Sequence, residues 1–344
     1  MSVEAAFGDV LGRLLRGGEV SAADVRAAFD AILSGRWTPV QVGAFAVALR
    51  MRGETAEVIV SAAEAMRATM ARVEHAHAVV VDTCGTGGDG AHTLNLSSAA
   101  AVVVASCGVV VAKHGNRSVS SRCGSADVVE ALGIPVDVEP GRQHEVLREA
   151  GIAFLFAPAH HPALKHAAQA RRELGTRTIF NALGPLANPA GATHQLVGVY
   201  EDRLRPVAAR ALGTLGSRRA WVVRGEDGLD EVSPCAPTRV SELGEDGDVR
   251  ERTVTPEDFG VSRVAREAVA GGDAGANAAA LVAILEGAPH PAREAVLLNA
   301  AASLVVATGE DPKGAAHRAR RAVDEGAAKA TLEAWRRVAK RVRA

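Results

Sequence analysis

Three short stretches of this chain gather the side chains and bare backbone that phosphate chemistry requires. The first runs from Gly85 to Gly90 and reads GTGGDG, directly after the β-branched run Val79 to Asp82. Four glycines in six residues leave backbone N–H groups open to close approach by a ligand oxygen, more than a simple turn needs. Asp89, inside the same loop, would repel a bare diphosphate but suits one escorted by a hard cation such as Mg²⁺. The second stretch follows the apolar run GVVVA at 108–112 and carries Lys113, His114, Gly115, Asn116, Arg117, Ser118, Ser120, Ser121 and Ser125. Lys113 and Arg117 match phosphate charge, Gly115 permits a sharp turn, and Asn116 both donates and accepts. The third is the adjacent pair Asp230 and Glu231, whose hard oxygen donors suit Mg²⁺ better than a softer metal.

Each stretch has a blander reading. GTGGDG has the form G-x-G-x-x-G, but a dinucleotide fingerprint needs its last glycine inside a helix and an acidic residue about 20 positions later, where this chain is apolar. Asn95, Ser97 and Ser98 follow the glycine loop, either as helix caps or with hydroxyls and free N–H groups turned to phosphate oxygens. Neighbouring carboxylates such as Asp230 and Glu231 are common on solvated loops. His114 shapes a pocket wall rather than standing out as a general base. Of Arg171 and Arg172, one can be solvated while the other meets a substrate carboxylate by paired hydrogen bonds; the sequence leaves that choice open.

These groups need a scaffold of some size, and 344 residues suffice for a large core split between two domains. With 48% hydrophobic and 23% charged residues and a net charge of -1, the composition is that of a globular protein and argues against wholesale nucleic-acid or acidic-membrane binding. The four cysteines, Cys84, Cys107, Cys123 and Cys235, form no CxxC pair or zinc spacing. The N-terminus is not built as a signal peptide, and no apolar run reaches membrane-spanning length. A reducing, cytoplasmic setting is the expectation.

Periodicity supplies the elements. Residues up to about 73 read as four short helices, with Ser21 and Asp24 in capping-box spacing and Thr38 and Thr55 as further starts. From Ala78 the pattern becomes strand–helix–strand. AVVVD, GVVVA, FLFA, HQLVGVY and RAWVVRG are short buried strands, with a further strand-like piece from Ile134. Helical character returns from Pro162 to Leu174, and the turn formers Gly184-Pro185 and Asn188-Pro189 mark a hinge. The charged, glycine-containing stretch from Glu242 to Glu257 reads as a surface excursion. Helices are expected over 273–285 and 292–301, and a basic one from Pro312 onward. The domain assignment is therefore a helical unit over 1–73, completed by about 162–192, and an α/β unit over 76–161 and 193–344.

Taken together, CGTGGDG, NLSS, KHGNRSVSSRCGSAD, RTIFNALGPLANP and GLDEVSP resemble the anthranilate phosphoribosyltransferase family, in order and over nearly the whole chain. The resemblance implies the nucleoside-phosphorylase-like phosphoribosyltransferase fold, a small all-helical domain beside a large α/β domain with a mostly parallel central sheet, assembled as a homodimer. It implies transfer of a phosphoribosyl group from 5-phosphoribosyl 1-pyrophosphate to anthranilate, in tryptophan biosynthesis, with Mg²⁺ as cofactor and no nucleic-acid or membrane partner. Carried over residue by residue, the diphosphate substrate would be held by Gly85, Gly88, Asp89, Thr93, Asn95, Leu96, Ser97, Ser98, Lys113, His114, Gly115, Asn116, Arg117, Ser118, Val119, Ser120, Ser121 and Ser125. Anthranilate would meet Gly85, Asn116 and Arg171, with His114 and Pro185 nearby, and Mg²⁺ would meet Ser97, Asp230 and Glu231. No obligate general base is implied. Ser98 stands where the family usually has Thr, Arg224 where His is common, and Ala276 where Glu is usual. A pyrimidine nucleoside phosphorylase shares the architecture, but its S-G-R-G-L type segment is missing from this sequence. A scaffold that had lost its chemistry would have lost Asp89, Lys113 or the acidic pair, and all are present.

Overall fold

The computed structural model describes residues 3–118 and 122–344, so the expectations for Val119, Ser120 and Ser121 fall outside the described residues. The chain opens with four helices, α1 (Val3–Leu15), α2 (Ala22–Leu33), α3 (Pro39–Arg52) and α4 (Ala56–Thr69). Their starts are chemically marked. Ser21 Oγ accepts from Asp24 N at 3.1 Å while Asp24 Oδ2 accepts from Ser21 N at 3.0 Å, and Thr38 and Gln41 form the same reciprocal pair. Each cap satisfies N–H groups that the first turn leaves orphaned. The apolar stripes of α1 to α4 bury Leu14, Phe29, Phe45 and Ile59 in one core.

The sheet begins at β1 (Val80–Asp82) and continues through α5 (Leu96–Ser106), β2 (Val110–Gly115), α6 (Ser125–Ala131), α7 (Gln143–Ala150) and β3 (Ile152–Phe156). The expected strand-like piece from Ile134 does not pair. Ile134, Val136 and Val138 are buried, but the segment lies outside the sheet, and Pro135 offers no N–H to a ladder. After α8 (Ala157–His160), α9 (Lys165–Leu174) and α10 (Ile179–Leu183) pack back on α2, α3 and α4. The sheet then resumes with β4 (His194–Gly198), α11 (Leu204–Thr214) and β5 (Arg219–Gly225).

Strand order is β3-β2-β1-β4-β5, all parallel, extended by the antiparallel β6 (Thr238–Leu243) and β7 (Val249–Val254). The stretch expected to be an excursion is therefore mostly this edge hairpin. Its charges hide the strand pattern because they pair across it: Arg252 reaches Glu242 at 3.0 Å and stacks 4.4 Å from the Trp221 ring centroid. Successive residues of β4 and β5 alternate between two cores. Leu196, Trp221 and Val223 face one, and Val197, Ala220 and Val222 face the core shared with the N-terminal helices. The first core is closed by α12 (Ala274–Leu285), α13 (Arg293–Thr308), α14 (Pro312–Asp324) and α15 (Ala327–Arg343). The expected single C-terminal helix is two, broken at Gly326, whose φ is +79°.

Candidate active site

Parallel strands end on one edge of the sheet, and there a cleft of about 1350 Å³ opens between the sheet and the helices α3, α9 and α10. Its floor is organised by a buried carboxylate that sequence reading overlooked. Asp82, at the end of β1, accepts from His114 N at 3.1 Å and from Asn188 Nδ2 at 2.7 Å. It thereby joins β1, β2 and the Asn188-Pro189 turn. Burial pushes its carboxyl up to about 6, against the opposing pull of the Lys113 ammonium.

The glycine loop is pinned to β4. Gly198 O accepts from Thr86 N at 2.8 Å, and Thr86 Oγ1 in turn accepts from Tyr200 N at 3.0 Å. Gly87, Gly88 and Gly90 all have positive φ, of +63°, +78° and +77°, which explains the density of glycine. Asp89 Oδ1 accepts from Ala91 N at 3.0 Å, and its other oxygen lies 3.4 Å from Asp230 N. Glycine turn and acidic pair, distant in sequence, are thus neighbours.

Lys113 and Arg117, expected to face phosphate, both line the cleft and both also have protein partners. Lys113 is buried, and its ammonium donates to Thr83 O and Thr83 Oγ1, both at 3.1 Å, and to Ser97 Oγ at 3.3 Å. It links the end of β1, β2 and the start of α5 at the cleft lining. Arg117 spends its guanidinium on Asp127 at 2.9 Å and Glu130 at 2.6 Å. The short reach between sequence and site hid these partners, because both acids lie in α6, beyond the loop itself.

Ser125 ties down Asn116 just after β2: its hydroxyl lies 3.2 Å from Asn116 N and 3.3 Å from Asn116 O. A Cβ on Gly115 would stand 2.3 Å from that hydroxyl, so only glycine fits. His114 presents Nδ1 to Gly184 O at 3.0 Å, while Nε2 is buried without a partner among the described residues. Burial, then the neighbouring His161, drives its pKa well below the usual imidazole value, so the ring is neutral at pH 7 and a wall rather than an acid.

Thr93, Asn95, Ser97 and Ser118 line the cleft, whereas Leu96 and Ser98 are buried away from it. Asn95 does not cap α5; its Oδ1 accepts from Asn277 Nδ2 on α12 at 2.9 Å. Across the cleft, Arg171 comes from the last turn of α9 and lies 5.6 Å from the centroid of the Phe180 ring, with Pro185 beside it in the lining. Arg172 is exposed at the cleft rim.

Asp230 and Glu231 line the cleft on the loop after β5, and Asn299 of α13 holds that loop. Asn299 Oδ1 accepts from Val232 N and its Nδ2 donates to Val232 O, each at 3.0 Å. A lone amide inside the apolar run of α13 was the available signal for this brace. Burial, then the charges of Asp89 and Glu231, raise Asp230 well above the carboxylate range, and burial pushes Glu231 up to about 7 despite Lys113. Asp89, Asp230 and Glu231 all line the cleft with Ser97, and their hard oxygens are the donor chemistry that Mg²⁺ takes. Among the described residues, the side chains whose ligand atoms all lie within 4.8 Å of one another are instead Asp82, Cys84 and His114. There both Asp82 oxygens are already taken by N–H donors, and burial raises the thiol.

Among the described residues, no helix is long and apolar enough to cross a membrane. Residues 8–70 match the helical bundle domain, and residues 77–329 the a/b domain, of a glycosyl transferase family. The anthranilate phosphoribosyltransferase of Myxococcus xanthus is 54% identical over 287 residues, covering 83% of this chain and 84% of the relative. The crystal structure of anthranilate phosphoribosyltransferase from Thermus thermophilus superposes with a TM-score of 0.91 at 39% identity, over 96% of this chain and 99% of that one. The Saccharomyces cerevisiae enzyme in complex with PRPP and Mg gives 0.90 at 28% identity, over 98% and 99%.

Proposed function

This chain belongs to the anthranilate phosphoribosyltransferase family, and on that premise we propose that it transfers the phosphoribosyl group of 5-phosphoribosyl 1-pyrophosphate to the amine of anthranilate in tryptophan biosynthesis, releasing pyrophosphate. The observation that carries the reading is the meeting, in one cleft, of a bare glycine turn, an acidic pair and a cation resting on an aromatic ring.

The nitrogen lone pair of the aryl amine forms the bond to C1 of the ribose as the bond from C1 to the diphosphate oxygen breaks, and the electron pair leaves with pyrophosphate. The amine is neutral at pH 7, so no base is needed before attack. The proton departs after the new bond has formed. Backbone N–H groups of the glycine turn supply fixed dipoles where negative charge accumulates on the leaving group. Asp230, Glu231 and Ser97 would hold Mg²⁺, which when bound neutralises the diphosphate. Arg171 orients the acceptor by its carboxylate, and the helical unit, residues 1–73 with about 162–192 in this reading, closes over the α/β unit of 76–161 and 193–344 to exclude water and align amine with C1. The homodimer expected of the family belongs to the same reading.

The test is the fluorescence of anthranilate, which the protein should consume only when phosphoribosyl pyrophosphate and Mg²⁺ are both supplied; no consumption with both present ends the proposal. Arg171→Ala should raise the KM for anthranilate about 10- to 100-fold, the worth of a charge-assisted hydrogen bond, with little change in the KM for the other substrate. A rise confined to the phosphoribosyl substrate would show that Arg171 was given the wrong partner.

A further inference from the structure

Arg177 is a cation to which the resemblance gives no role. It is half-buried in the segment between α9 and α10 and lines the cleft. Its guanidinium carbon lies 4.7 Å from the centroid of the Tyr200 ring, and its Nε stands 2.9 Å from where a Cβ on Gly88 would be. The glycine turn therefore lies directly against this side chain, and only a residue without a Cβ permits the approach. Tyr200 is itself fixed to the turn, through its backbone N–H and Thr86 Oγ1 at 3.0 Å.

Arg171 and Arg172, also in the cleft lining, form no ion pair among the described residues, but other nearby arginines have counter-charges. Arg203 meets Glu54 at 2.9 Å and Glu201 at 2.8 Å, Arg50 meets Glu54 and Glu201, and Arg117 is held by α6. Arg177 has no ion pair and donates no hydrogen bond among the described residues. In particular it pairs with none of Asp89, Asp230 and Glu231, although it touches the turn that carries Asp89. A guanidinium partly removed from water, supported on a ring face and with its N–H groups unused, is a preorganised site for an oxyanion that accepts two parallel hydrogen bonds.

We propose that Arg177 binds the diphosphate of the phosphoribosyl substrate, reaching it over Gly88, with Tyr200 as its platform. The inference rests on the reading of the cleft given above. It adds a cation from the segment that follows α9, so that the diphosphate is gripped by the helical side of the cleft as well as by the sheet edge.

Arg177→Gln and Arg177→Lys are to be compared with the wild type in steady-state kinetics and in calorimetric titration with inorganic pyrophosphate and Mg²⁺. Arg177→Gln should raise the KM for phosphoribosyl pyrophosphate about tenfold or more and weaken the pyrophosphate Kd by a similar factor, while the KM for anthranilate stays within about twofold. Arg177→Lys, which keeps charge without the fork, should recover part of both. If Arg177→Gln does not fold, Arg177→Lys against wild type carries the comparison, with a smaller loss expected. A change in the anthranilate KM alone, or an unaltered pyrophosphate Kd in a folded variant, overturns the assignment. Should the wild type lack transferase activity, the proposed reaction fails, and the pyrophosphate titration still decides the role of Arg177.

Discussion

Asp230→Asn combined with Glu231→Gln is expected to lower kcat/KM by about 10²–10³-fold and to abolish its dependence on Mg²⁺, a loss on the scale of removing preorganised stabilisation of a charged transition state. The same variant should be more resistant to heat than the wild type in metal-free buffer, because the crowded acids of the cleft floor cost the fold more than they contribute. The sign follows from titration. An unfolded Glu titrates near 4.5, whereas Glu231 in the fold is pushed up to about 7, with Asp230 raised as well. Between those values the folded chain holds more protons than the unfolded one. The stability contributed by these groups is thus complete below about 4.5 and lost as pH rises through about 7. The melting temperature of the wild type, relative to that of the double variant, should fall across this window in EDTA and recover on adding Mg²⁺. Parallel pH profiles for the two proteins, together with unchanged metal dependence of turnover, would remove the acidic pair from the mechanism.

Gly198→Ala is expected to be the most damaging single change on the sheet edge, costing more than about 3 kcal/mol of stability together with the activity, the upper range for forced overpacking. A Cβ there would stand 1.5 Å from Asp230 O and 2.4 Å from its carbonyl carbon. Neither side can yield. Gly198 pairs with Val223 in β5 and its own carbonyl carries the Thr86 N–H, while Asn299 clamps the chain beyond Asp230 at Val232. Urea denaturation measures the loss, with Gly141→Ala as the control, since nothing lies within 4 Å of a Cβ at that position. If Gly198→Ala unfolds at the wild-type midpoint and turns over normally, the close approach of β4 to the acidic loop is not part of this fold.

What the sequence made legible was local. Ser21 and Asp24 announce a helix start because both halves of the cap lie within one turn. The glycines of the 85–90 loop read as backbone bared for a ligand, and positive φ at Gly87, Gly88 and Gly90 is a second reason for them. The acidic pair and Arg171 were found by residue type, and the cleft does gather them. What stayed hidden depends on partners remote in sequence. The partners of Lys113, Thr83 and Ser97, and those of Arg117, Asp127 and Glu130 in α6, cannot be read from the loop that carries the two cations. The β6–β7 hairpin reads as loop because its solvent-facing side is charged, and that charge is balanced only across strands. Asp82 reads as the end of an apolar run, although it ties two strands and a turn together.

The burial of Lys113 has a practical corollary. The chain contains only five lysines, and the other four, Lys165, Lys313, Lys329 and Lys340, are exposed and stand outside the cleft lining. Acylation of lysine side chains, by a dye or a solid support, therefore falls outside the cleft lining.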